Sequence, residues 1–201
     1  FSVDLPYEAH RNPTPAMRHV HHEWEMGAKQ MSAQTARMVG EQQLKEAMAL
    51  SAGMMAMIDD SVGEVIAALK EAGLYENTVI CFNSDHGDYL GDFNMLLKGA
   101  LPFRSITQVP MIWSDPADRS GRTSSALSST IDVPATILDR AGVLPYRGMQ
   151  AQSFLPVIKG ADTHRDAVLT EFNDLGARLG FARPARVRSL RTDSWRFTLY
   201  Q

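Results

Sequence analysis

The chain is poor in the features that mark cross-linked scaffolds, membrane spans and nucleic-acid binders. One cysteine, Cys81, stands among 201 residues, so no intrachain disulfide forms and a disulfide-built secreted scaffold is excluded. No apolar run approaches the roughly 20 residues of a membrane helix, and no membrane partner is expected. The formal charge is only −3, and the arginines between Arg178 and Arg191 are interrupted by apolar residues, so a nucleic-acid partner is not expected either. There is no internal repeat, no low-complexity tract and no signal-peptide pattern, and the sequence opens on Phe1 rather than methionine. That opening reads as an entry in mid-chain, which leaves the compartment, cytoplasmic or periplasmic, and the oligomeric state unset.

What is present is ordinary soluble composition, 44% hydrophobic and 21% charged, enough for a substantial core in one or two domains. Pro6, Pro13 and Pro15 break any early helix, so residues 1–40 read as a wrapping segment. The His19, His21, His22 and Glu23 run within it lacks a spacing that converges side chains and reads as a solvated surface. From Glu41 to Ala72, Leu44, Met48, Met55, Ile58, Val62, Ile66 and Leu69 recur at helical steps. They predict an amphipathic helix packed on a sheet, its methionines serving as core filler, with Gly73 as its stop. Asp59 lies at the edge of that stripe and Asp60 away from it, both read as structural or solvated.

Thr78 to Asn83 predicts a buried parallel strand with Cys81 as a small core hydrophobe. Val109 to Trp113 predicts a second strand, Ser125 to Ser129 a short edge strand and Ala167 to Glu171 a further one. Asp132 followed by Pro134 marks a helix start, and the helix is expected over Ile131 to Ala141 with its stop at Gly142. After Pro184 two alternating runs flank a Thr-Asp-Ser turn and predict an antiparallel hairpin. The fold class is therefore α/β: the C-terminal half of a doubly wound mixed sheet flanked by helices, plus the start of a small antiparallel sheet. The expected domains are 1–183 and a truncated 184–201.

Chemistry concentrates in Thr78 to Lys98. The strand breaks at Ser84-Asp85-His86-Gly87, and the carboxyl end of a strand is where open α/β sheets place ligand-binding groups. Asp85 and His86 can ligate one metal ion if Gly87 permits a sharp turn, but two ligands do not complete a site. Read alone, the turn favours a capped polar loop, and Lys98 favours a surface lysine, although its ammonium suits a sulfate or phosphate oxygen.

Ser84 to Asp92, Lys98-Gly99 and Val109 to Ile112 together resemble the sulfatase branch of the alkaline phosphatase superfamily, whose pattern runs SDHG(E/D)xLGDH, a lysine, then (V/I)P(L/M)I. The likeness extends to Met57 through Gly63, Asp132 through Leu138, Gly148-Met149-Gln150 with Ser153 to Pro156, and Arg188 to Thr192. The resemblance implies that Asp85 and His86 are two ligands of a divalent cation, calcium, manganese or zinc, and that Lys98 contacts the transferred group. It further implies a small-molecule sulfate ester as substrate, with a phosphonate or phosphodiester as the alternative. The imidazole at His86, where many arylsulfatases have Asn, shifts the expectation towards manganese or zinc.

Two departures stand out. Phe93 replaces a frequent histidine, and the C/S-x-P-x-R motif that yields the family's formylglycine nucleophile is absent from these residues. Phe1 to Tyr7 resembles the stretch after the family's H-x-P-(F/Y) motif. The expectation is a formylglycine in a missing N-terminal part, and no turnover by these residues alone; the rival of another class is a non-catalytic binding module.

Overall fold

The computed structural model describes Arg18, Arg37–Met38 and residues 40–174 and 184–201. The wrapping segment, except for isolated positions, and the His19 to Glu23 run lie outside the described residues. The described elements are β1 (Arg37–Met38), α1 (Glu41–Glu71), β2 (Ile80–Asn83), β3 (Met95–Leu96), α2 (Arg104–Thr107), β4 (Met111–Ser114), α3 (Asp132–Arg140), α4 (Leu155–Ile158), β5 (Val168–Asn173), β6 (Arg186–Arg191) and β7 (Arg196–Tyr200). The architecture is mixed α/β. Three antiparallel sheets form, β1 with β3, β2 with β4, and β5-β6-β7 in that order.

The helical periodicity gives α1 its 31 residues, and Gly73 closes it in the left-handed region at φ 67°, where an L side chain is strained. Its packing differs from the expectation. Leu44 is fully buried, whereas Met54, Met55, Met57 and Ile58 are exposed, so these methionines are not core filler here. The stripe fixes the helix but nothing among the described residues covers its middle. Asp59 and Asp60 are both exposed.

The strand at Ile80–Asn83 forms, but its neighbour among the described residues is β4, antiparallel, with Cys81 opposite Trp113. Phe82 is exposed and Cys81 half-buried, which corrects the reading of a buried parallel strand. Both directions of pairing accept the same short apolar run, so hydrophobicity alone does not select one. Burial still pushes the Cys81 thiol upward, away from reactivity.

No strand forms at Ser125 to Ser129. Ser124 Oγ accepts from Ala126 N at 3.1 Å and Ser128 Oγ donates to Ala126 O at 3.4 Å, local bonds that compete with a ladder. The predicted helix appears as α3, and the hairpin as β6–β7, closed by Thr192 N donating to Trp195 O at 2.8 Å. β5 joins that hairpin, with Leu169 opposite Leu190.

Two ion pairs tie the frame, one buried and one between a buried aspartate and an exposed arginine. Asp132, fully buried, accepts from Ser129 N at 3.0 Å, Gln152 N at 2.9 Å and Arg165 Nε at 2.8 Å, and His164 Nε2 lies 3.2 Å from its Oδ2. Asp115 accepts from Arg140 Nε at 2.5 Å and Nη2 at 3.0 Å. The Arg140 guanidinium holds the Asp115 carboxyl down at about 2.

Candidate functional site

The loop leaving β2 is stitched by its own backbone. Ser84 Oγ donates to His86 O at 2.8 Å and His86 N to Asp85 Oδ1 at 2.9 Å. Gly87 N donates to Ile106 O at 2.9 Å, and a Cβ on Gly87 would stand 1.8 Å from Ser105 O. Gly87 is therefore required for a close approach of two backbones, a reason distinct from the sharp turn that the sequence suggests. Further on, Asp88 Oδ1 accepts from Leu90 N at 2.8 Å and Leu97 N at 3.0 Å. The buried Tyr89 hydroxyl donates to Leu101 O at 3.0 Å and accepts from Leu101 N at 3.1 Å, and burial raises its pKa. Phe93, in the place of the frequent histidine, packs on Phe103 at 4.4 Å between ring centroids.

Three chemistry-bearing groups converge on this frame. His86 Nδ1 lies 2.7 Å from Gly87 O; a carbonyl only accepts, so the proton is assigned to Nδ1 and the Nε2 lone pair is left outward. Lys98 Nζ lies 2.6 Å from that Nε2, and Asp85 Oδ2 lies 3.6 Å from it. The Asp85 side chain is 85% exposed. The backbone N–H of His86 holds its carboxyl below the ordinary range, and Lys98 adds to the effect. Leu97, in the left-handed region at φ 68°, sets the backbone just ahead of Lys98.

Asp85 and His86 open onto a cleft of about 720 Å³, whose walls include Arg104 of α2, the serine-rich stretch 124–130, and Arg191 and Arg196 of the β5-β6-β7 sheet. Lys98 is not part of that wall and touches the site through the imidazole. Arg196 crosses from the sheet to bond Pro102 O, and its Nη2 donates to Thr107 Oγ1 at 3.1 Å. Burial, and then the neighbouring charge of Arg191, pull the Arg196 guanidinium below its ordinary value.

The donors suit a divalent cation in kind: one free carboxylate oxygen and one imidazole lone pair with its tautomer set by a backbone carbonyl. No group of three or more His, Cys, Asp or Glu side chains that can hold a metal occurs among the described residues, so this chain supplies part of a coordination sphere. The sequence places Asp85, His86 and Lys98 together and the structure agrees in their proximity. Neither Arg191 nor Arg196 is a site residue in the sequence reading; the one available signal was the alternation that makes them cross-strand partners.

The mixed α/β frame is shared by the solved phosphonate monoester hydrolase of Agrobacterium radiobacter. That structure superposes with a TM-score of 0.64 at 27% identity, over 79% of this chain and 35% of that one. The family model described as Sulfatase matches residues 14–143, and the chain belongs to the sulfatase family. Arylsulfatase K of Danio rerio is 29% identical over 165 residues, 80% of this chain and 30% of that protein. N-acetylglucosamine-6-sulfatase of Bos taurus is 34% identical over 122 residues, 59% of this chain and 22% of that protein. The match thus spans between about a fifth and a third of the length of these relatives. No described helix is long and apolar enough to cross a membrane.

Proposed function

We propose that the protein carrying this chain hydrolyses sulfate esters at a divalent-cation site to which Asp85 and His86 contribute two ligands. The observation that carries this reading is the convergence of Asp85 Oδ2 and Lys98 Nζ on the outward Nε2 of His86, at 3.6 and 2.6 Å. A bound cation supplies Lewis acidity to the ester oxygens. Manganese or zinc suits the imidazole better than calcium does. Asp85 presents a carboxylate that stays ionised because the His86 N–H favours the charged form.

Lys98 donates to the His86 lone pair when no cation occupies it. When one does, the ammonium is released to the non-bridging oxygens of the ester, where its charge offsets the charge that develops during transfer. No C/S-x-P-x-R motif occurs in these 201 residues, so none of the roles given to Asp85, His86 and Lys98 is that of the nucleophile. Likeness to the phosphonate monoester hydrolase supports a second reading, phosphonate or phosphodiester hydrolysis, since the same groups serve a tetrahedral phosphorus centre.

The test is Asp85→Ala in the full-length protein, with turnover of paired aryl sulfate and aryl phosphonate substrates and bound metal both measured. Turnover is expected to fall by about 10²-fold or more together with metal content. Unchanged metal and rate remove Asp85 from the site, and a rate ratio favouring the phosphonate replaces the first reading with the second. Lys98→Met is expected to depress turnover while leaving metal bound.

A further inference from the structure

Resting on the reading above, in which Lys98 serves the transferred group, we propose that Asp88 is the positioning residue for Lys98. Its carboxylate holds the backbone ahead of Lys98 in a conformation that leucine rarely adopts, and so aims the ammonium. Among the described residues, three other than glycine have positive φ: Leu90 at 38°, Phe93 at 55° and Leu97 at 68°. All three fall between Asp88 and Lys98. A side chain in the left-handed region crowds its own backbone through Cβ, and such strain persists only where surrounding groups over-determine it.

Asp88 supplies that constraint with one atom. Its Oδ1 accepts from Leu90 N at 2.8 Å and from Leu97 N at 3.0 Å, so a single acceptor pins the first and the last of the strained positions. The Leu97 carbonyl is held from the other side by Tyr89 N at 2.8 Å. Tyr89 is itself buried and bonded to both polar groups of the Leu101 backbone. Between these ties Gly91 N donates to Met95 O at 2.9 Å and closes the loop. Leu97 is therefore fixed at its N–H and at its carbonyl, and the next residue is Lys98, whose Nζ lies 2.6 Å from His86 Nε2. A lysine carries its charge on a flexible four-carbon stem, so its aim depends on where the stem starts. Both Asp88 bonds use an oxygen that asparagine also has, so the role needs an acceptor and not a charge.

The test uses the full-length protein and three substitutions. Asp88→Asn keeps the acceptor, Asp88→Ala removes it, and Lys98→Met removes the group that is aimed. Asp88→Ala is expected to lower kcat for 4-nitrophenyl sulfate about tenfold or more, the scale of a misplaced reacting group, with bound metal retained, and Asp88→Asn to keep the parent rate. Equal losses in the two assign the effect to charge and overturn the proposal. Added to Lys98→Met, Asp88→Ala is expected to cause no further loss, because the ammonium it releases is already gone. The same loss in that background as in the parent makes Asp88 independent of Lys98 and overturns the proposal. A second readout needs no turnover: nitrogen NMR of isotope-labelled histidine in the metal-free full-length protein. Lys98→Met is expected to shift the His86 Nε2 resonance, Asp88→Ala to shift it the same way, and Asp88→Asn to leave it in place. A resonance that Asp88→Ala does not move overturns the proposal. The expected resonance pattern in a protein that hydrolyses no sulfate ester refutes the sulfatase reading alone, and parent turnover that Asp88→Ala leaves intact refutes the positioning role alone.

Discussion

Two aspartates of this chain each stand beside a histidine, and they do opposite things. Asp132 is fully buried and receives two backbone N–H groups and two bonds from Arg165, with His164 closing the cage. Asp85 is 85% exposed and spends one oxygen on the N–H of the next residue. The first has no capacity left for a ligand, so it can only hold the start of α3, the segment before α4 and the loop after it together. The second keeps an oxygen free beside an imidazole whose lone pair faces outward. Adjacency of Asp and His is thus uninformative by itself, and the number of bonds already made separates architecture from chemistry.

The largest effect that can break this contrast is on stability. Asp132→Ala strands Arg165 without its carboxylate, and removal of one partner of a buried pair costs about 3–5 kcal/mol, read as a lower denaturant midpoint. Asp85→Ala is expected to leave that midpoint in place; equal losses in the two variants dissolve the distinction. Gly87→Ala comes next, because its Cβ meets the Ser105 carbonyl and the displaced backbone costs about 1–3 kcal/mol. It should also reduce metal content by moving His86, whereas a neutral outcome removes the close approach from the account of the site.

The smallest effect is acid sensitivity of the Asp115–Arg140 pair, whose arginine is exposed. Asp115 has its pKa depressed from 3.8 to about 2 by Arg140, so the unfolded chain binds the proton more readily. The contribution is present above about pH 4 and is lost as the pH falls towards 2, amounting to about 2 kcal/mol at most. Asp115→Asn should flatten the stability profile in that window and leave neutral-pH metal binding unchanged.

Asp85, His86 and Lys98 were legible in the sequence because a strand end, a turn glycine and a lysine thirteen positions on are local features. The burial of Asp132 was not, since its cage is drawn from Gln152, His164 and Arg165, far beyond a helix-start pattern. The direction of the β2–β4 pairing escaped for another reason: a four-residue apolar strand carries no mark of polarity. The exposed middle of α1 shows the limit of periodicity, which reports which face is apolar and not what covers it. The arginines of the cleft needed the hairpin register and the distant 124–130 stretch on the page together.

The clasp between Tyr89 and Leu101 has a consequence in time. One hydroxyl bonds both the N–H and the carbonyl of a single residue twelve positions away, whereas Arg196 reaches Pro102 across 94 positions. Short closures cost less chain entropy and form earlier than long ones. The wall that carries Asp85 and His86 should therefore be assembled before the sheet that carries Arg196 docks against it. In pulsed hydrogen exchange during refolding, protection of the Leu101 amide is expected to precede protection of the β6–β7 amides; simultaneous protection would show that the two walls fold as one unit.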